Sequence, residues 1–234
     1  MLYNVIRDGD NISYIPTVAG RTALTALFLI LLAAAVFLAG KKSAGSQDAV
    51  SRKTSARLTA RQLSFCSAAI ALGTVLSNIK LYEFPFGGSV TLLSMLFVCL
   101  PGYWFGLKAG LVTGMAHGIL QLIIGPYVIH PLQLLMDYPL AFGAFGLSGL
   151  FTDRKNGLLK GYVTGIVGRW LFSTLSGWIF FAEYAWEGWH PLPYSLTYNA
   201  IYIFSEGALT LAILAIPHVR ESFARVRKLA LEIQ

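Results

Sequence analysis

GPYVIHPLQLLMDYPLAFGAFGLSGL, residues 125–150, decides how the chain is read: an apolar run of membrane-spanning length carries one carboxylate, Asp137, a turn or two inside its start. A spanning helix needs about 20 mostly apolar residues, and an Asp near its centre costs roughly 2.5–3.5 kcal/mol on insertion scales. Such a group faces a protein interior or a cavity and has a partner. Pro131 suits the first turn of the helix, and Pro139 removes a backbone donor inside it. Gln133 lies one turn before the acid and Tyr138 adds a ring with a hydroxyl, neighbours that suit a ligand as the partner of Asp137.

The rest of the chain agrees with a membrane setting. Of its 234 residues 56% are hydrophobic and 12% charged, against about 25% charged in soluble domains. The ~10-residue alternating segments of a barrel are absent, which leaves an all-α polytopic membrane protein. The net charge of +7 has its simplest origin in cytoplasmic loops, and nucleic acid is not expected as a partner. Cys66 and Cys99 lie in apolar segments without metal-ligand spacing and read as small packing residues, with no metal site.

Working outward, Thr22 to Gly40 runs for 19 residues without a charge and ends at Lys41 and Lys42. This is expected to be an extra N-terminal transmembrane helix with a stop-transfer flank; a signal peptide is the competing reading. Residues 41–61, Ser-rich and basic, form a linker, so that residues 1–61 stand apart from a substrate-binding membrane domain at 62–216 and a basic tail at 217–234. Six helices are expected in that domain, at about 62–79, 91–106, 109–124, 132–151, 158–181 and 194–216. With the N-terminus outside, 14 of the 18 Lys and Arg fall on the cytoplasmic side and only Arg7, Arg21 and Lys80 on the other, the asymmetry of the positive-inside rule. The C-terminus is then cytoplasmic, and the tail lies on the membrane surface or on a partner. Trp186 and Trp189, in the outer loop AEYAWEGWHPLP (182–193), are either an interfacial belt or part of a site.

Two more charges enter the spans. Arg169 and Glu206 each lie about 12 residues from the outer ends of their helices, roughly 18 Å deep, while Asp137 and Asn199 lie roughly 8 Å deep. Equal depth predicts that Arg169 and Glu206 pair, as the floor of a pocket or simply as a packing ion pair. Arg169, Ser173, Ser176 and Gly177 share one helical face, as do Asn199 and Glu206, so a cavity open to the outside is expected between them. Carboxylates with rings from Tyr138, Phe180 or Phe181, Tyr184 and Tyr194 suit a small, flat cation. An intramembrane enzyme is the alternative of another class. His130 reads as a loop-fixing or rim residue and His117 as a lone helix histidine; no zinc motif, catalytic carboxylate pair or activated nucleophile is found, and no catalytic residue is assigned. In the segment 62–79, Ser67 and Ala71, and Ala69, Gly73 and Ser77, recur at four-residue spacing, which lets another helix approach closely, inside the bundle or from a partner.

Three stretches, YEFPFGGSVTLLSM (82–95), HPLQLLMDYPLAFGAFGLSGLF (130–151) and SGWIFFAEYAWEGWHPLPYSLTYNA (176–200), together resemble the ThiT family, the thiamine-specific substrate-binding subunits (S components) of energy-coupling factor (ECF) transporters. The resemblance covers about residues 62–215. It implies a six-helix S-component bundle that captures thiamine from outside and works with a transmembrane coupling protein and two ATPase subunits, without catalysis and with no cofactor beyond the transported ligand. It also implies a site at Asp137, Tyr138, Arg169, Tyr194 and Asn199, to which the faces above add Ser173, Gly177, Phe181 and Tyr184. Some members resembled have Glu where this chain has Asp137 and Trp where it has Phe181. Another pyrimidine or vitamin is the alternative ligand within transport.

Overall fold

In the computed structural model the described residues are 3–8, 11–17, 19–20, 23, 58–125 and 127–232. The chain divides into two units, residues 1–57 and 58–234. In the first, β1 (Tyr3–Asp8) and β2 (Asn11–Pro16) form an antiparallel hairpin with Asp8 opposite Asn11. The sequence reading, which weighed only charge in this stretch, did not anticipate these strands. The helix expected at 22–40, apart from Ala23, and the linker as far as Arg57 lie outside the described residues.

The second unit begins with α1 (Ala60–Ser77), whose N-terminus is closed by a capping box: Gln62 N donates to Thr59 Oγ1 (3.2 Å) and Thr59 N to Gln62 Oε1 (3.0 Å). A short hairpin, β3 (Lys80–Glu83) and β4 (Ser89–Thr91), then leads into α2 (Ser94–Phe105). α3 (Leu107–Ile124) follows after a single residue, Gly106, at φ 92°, a left-handed conformation that a side chain resists. α4 (Pro131–Phe151), α5 (Gly157–Phe180), α6 (Pro191–Ala215) and α7 (Pro217–Leu231) complete the unit. All six expected helices are present, their ends shifted by three residues at most. α3, α4 and α6 are long and apolar enough to cross a membrane, and the 25 residues of α6 span about 37 Å.

α4 is not one helix type. Pro131–Leu135 is α-helical, Met136–Leu140 is a π turn, Ala141–Gly143 returns to α, and Ala144–Phe151 is wound as 3-10. The wide turn contains Pro139, which has no N–H for Leu135 and whose ring crowds that residue's carbonyl. The tight turn is glycine-rich and presses on α3. A Cβ on Gly146 would collide with the backbone of Gly110 and Leu111, and one on Gly118 with the carbonyl of Tyr138. Gly110, Gly114 and Gly118, at four-residue spacing, thus bring α3 into backbone contact with α4.

Leu96, Leu100, Phe145, Tyr162, Ile203 and Leu214 make the core. Cys66 and Cys99 are free and buried in the packing, as their setting suggested. The basic tail is a helix folded back across the end of the bundle. Phe223 meets the Phe97 ring edge-on, the Arg227 guanidinium lies 4.7 Å from the Tyr103 ring centre, and Arg61 donates to the carbonyls of Glu232 (2.6 Å) and Leu229 at the helix end. The small-residue stripes of α1 separate: Ala69 and Gly73 are buried against α2 and α3, Ser77 bonds to Gln121 of α3 (2.8 Å), and Ser67 and Ala71 face outward. Of the two readings of the stripes, Ala69, Gly73 and Ser77 take the one inside the bundle, and Ser67 and Ala71 are left on its outer side.

Candidate functional site

At the end of the bundle where α4 and α6 begin and α5 ends lies a cavity of about 340 Å³, within the ~300–1,000 Å³ range of small-molecule sites. Every site residue expected from the sequence lines it: Asp137, Tyr138, Arg169, Ser173, Gly177, Phe181, Tyr184, Tyr194, Asn199 and Glu206. Ser176 and Phe180 do not. Ser176 is fully buried, and Phe180 is stacked on His130 at 5.1 Å, outside the cavity.

The π turn of α4 carries the carboxylate. Gln133, buried one turn earlier, donates to Asp137 Oδ2 (2.6 Å) and to the Tyr127 carbonyl (3.0 Å), and accepts from Ile129 N (3.1 Å). One amide therefore fixes both the acid and the preceding loop. Tyr138 fastens the same loop, its hydroxyl accepting from Tyr127 N at 2.8 Å. His130 is the N-cap of α4, Nδ1 accepting from Leu132 N (3.1 Å), which agrees with its reading as a loop-fixing residue and leaves no base in the cavity from this position. Aromatic rings form the adjacent wall: Tyr127 is stacked on Phe181 with centroids 5.9 Å apart and planes 18° apart, and Tyr127 and Tyr184 hydroxyls lie 3.3 Å from each other.

α5 and α6 close the opposite wall. Gly177 lets Ser195 approach, and Ser195 Oγ donates to the Thr174 carbonyl at 2.7 Å. Asn199 Nδ2 donates to the carbonyls of Ser195 (2.9 Å) and Ser173 (3.3 Å), while its Oδ1 accepts from Tyr202 (2.8 Å). The amide is thus occupied with holding α5 to α6, so Asn199 shapes the cavity through its neighbours. The β3–β4 loop covers the mouth: Tyr198 donates to the Pro85 carbonyl and accepts from Gly88 N (3.1 Å).

The expected Arg169–Glu206 pair is not formed. Among the described residues no ion pair includes either side chain. Glu206, buried at the floor, accepts from Thr91 N (2.9 Å), Thr91 Oγ1 (2.6 Å), Ser94 Oγ (3.1 Å) and Met95 N (3.1 Å). It caps the N-terminus of α2 from another helix, where the orphan N–H groups and the helix dipole favour an anion. Arg169 instead lays its guanidinium over the Phe142 ring (4.4 Å) and toward Phe145 (5.5 Å). Equal depth along two helices did not fix the direction in which each side chain points.

The sequence reading missed Tyr127, Tyr198, Tyr202, Ser195 and Gln121 as cavity residues. A signal existed for two of them: Tyr194, Tyr198 and Tyr202 follow at four-residue spacing on the face that also carries Asn199 and Glu206. Trp186 and Trp189 are half-exposed and do not line the cavity, though Trp186 touches the Tyr194 ring edge-on at 5.2 Å.

The arrangement offers a half-buried carboxylate held in place, a wall of π faces, and a short loop at the mouth. Such a site suits a flat cation with hydrogen-bond donors. A family model described as thiamine transporter protein (Thia_YuaJ) matches residues 63–224. The chain is similar to the thiamine transporter ThiT of Bacillus subtilis, 35% identical over 156 residues, which cover 61% of this chain and 80% of that one. It is also similar to the thiamine transporter ThiT of Lacticaseibacillus paracasei, 29% identical over 140 residues, 54% of this chain and 68% of that one. The fold is similar to a solved structure of ThiT from Listeria monocytogenes, with a TM-score of 0.55 over 68% of this chain and 96% of that one, at 24% identity.

Proposed function

The chain belongs to the thiamine transporter protein family, and on that premise we propose that it is the thiamine-capturing S component of an ECF-type importer, with the cavity as its binding site. It is a multi-pass membrane protein that transports its ligand and performs no catalysis. The observation that carries the site is the convergence of Asp137, fixed by Gln133, with the stacked Tyr127 and Phe181 in a cavity of about 340 Å³. Thiamine joins an aminopyrimidine to a cationic thiazolium. The Asp137 carboxylate accepts from the exocyclic amine, a charge-assisted bond. The aromatic wall takes a ring face, and the cation gains from π electrons and from the two carboxylates. Arg169, kept over Phe142, lines the same cavity and limits its net negative charge.

The cavity opens to the outside in this reading, with the N-terminus outside and α7 in the cytoplasm. The outward side of α1 near Ser67 and Ala71 is small-residued and is the surface offered to a transmembrane coupling protein, itself driven by two ATPase subunits. Thiamine titration of the purified protein tests the assignment, since Trp186 touches the cavity residue Tyr194. Saturable quenching is expected, and a flat titration with no calorimetric heat removes thiamine. Impermeant maleimide added to whole cells checks the orientation: Glu187→Cys is labelled and Arg225→Cys is not.

A further inference from the structure

At the end of the bundle opposite the cavity, α7 covers a second hollow of about 110 Å³. Leu158 of α5, Leu214 of α6 and Phe223 of α7 give it apolar walls, and Arg154 and Arg220 reach it from two separate segments. Among the described residues neither guanidinium has a carboxylate partner. Neighbouring Arg227, by contrast, is engaged: it donates to the Thr152 carbonyl (2.6 Å), lies 3.5 Å from Asp153 Oδ1 and stacks on Tyr103. Asn156, also at the hollow, leaves the first turn of α5 without a side-chain cap, which adds positive potential at the same place.

The volume is well below the ~300 Å³ at which a pocket encloses a whole metabolite, so the hollow admits a headgroup and not a free ligand of that size. Two unpaired cations call for an anion, and the apolar walls call for a hydrocarbon beside it. α7 has the composition of a helix lying in a bilayer interface: Val226, Leu229 and Leu231 remain 36%, 52% and 41% exposed next to Arg225 and Lys228.

We propose that this hollow binds the phosphate of an anionic phospholipid between Arg154 and Arg220, with the first part of an acyl chain against Leu158, Leu214 and Phe223. Inorganic phosphate or a phosphorylated metabolite offers the same oxygens and nothing for the apolar walls, so the lipid is the occupant. Placing the site at the cytoplasmic leaflet rests on the orientation proposed above; the binding itself does not, nor does it depend on thiamine being the ligand.

The full chain, reconstituted in phosphatidylcholine nanodiscs with and without phosphatidylglycerol, is ejected for native mass spectrometry and the retained lipids counted. Wild type is expected to keep phosphatidylglycerol over phosphatidylcholine. The Arg154→Gln/Arg220→Gln variant is expected to keep it about 30-fold less well, and Arg154→Lys/Arg220→Lys to keep most of it. An unchanged melting midpoint shows that the variant is folded. Should the double variant not fold, Arg220→Gln alone, at an exposed position on α7, is expected to lose about fivefold. Equal retention by wild type and the Gln variants overturns the proposal, as does displacement of the lipid by excess inorganic phosphate.

Discussion

The two halves of α4 do opposite things with the same helix. Its first half, Pro131–Leu140, is widened into a π turn at Pro139 and holds Asp137 and Tyr138 at the wall of a hollow. Its second half, Ala144–Phe151, is tightened to 3-10 and seated on the glycines of α3 without space for a methyl group. The polar half is stabilised by hydrogen bonds from its own loop and the packed half by backbone contact. Substitutions in the first should therefore change binding and leave the fold, whereas those in the second should change the fold first.

The largest effect is expected at Gly146→Val. The added Cβ meets the backbone of Gly110 and Leu111, which cannot rotate away, so the helices must separate. A loss of about 3 kcal/mol or more follows, roughly 6–12 °C in the melting midpoint. A midpoint within a degree of wild type would show that the two helices are free to move apart and would dissolve the contrast.

Asp137→Asn should do the reverse. It keeps the size of the side chain and an acceptor, and loses a charge worth about 1.5–3 kcal/mol in a hydrogen bond, so thiamine affinity should fall roughly 10- to 150-fold with little change in melting. An unchanged calorimetric titration would take the residue out of the site. Pro139→Ala tests the wide turn more gently. Restoring the N–H offers the Leu135 carbonyl an ordinary i→i+4 bond in place of the wide one, so the turn narrows and Asp137 rotates relative to Gln133. Affinity should drop about fivefold to tenfold, one neutral hydrogen bond, while the midpoint holds or rises. Equal affinity with a raised midpoint would make the π turn a packing accident.

Much of this contrast is legible in the sequence, for unequal reasons. Each bundle helix is an apolar run between punctuating Gly, Pro or charged residues, so all six could be placed. A charge such as Asp137, Arg169 or Glu206 inside such a run is conspicuous, and each lines the cavity. Tyr127 and the β3–β4 loop were not legible, because their position depends on side chains from other helices, Gln133, Tyr138 and Tyr198. The glycines of α3 carry the four-residue spacing plainly, yet spacing does not name the neighbour. α7 reads as a basic tail until Val219, Phe223, Arg227 and Ala230 are seen turned toward the bundle.

The smallest expected effect concerns Arg169 and Glu206, where the same limit led the sequence reading to a pair. Depth along a helix follows from counting residues, but azimuth is settled by competition among partners. For Glu206 the competing partners are Ser94 and Met95, in the first turn of α2, with Thr91 just before them, and together they supply four donors without a second buried charge. For Arg169 it is the Phe142 face, whose π electrons attract the guanidinium at 4.4 Å. Removing Glu206 should therefore loosen the α2 cap, by about 1–3 kcal/mol for Glu206→Gln. Arg169→Met should act separately, through the Phe142 contact. In a double-mutant cycle on melting stability the coupling should stay within about 0.5 kcal/mol, as for side chains that share no contact. A coupling of about 2 kcal/mol or more would mean that the two charges meet after all, and that the polar half of the bundle is held by an ion pair across its floor.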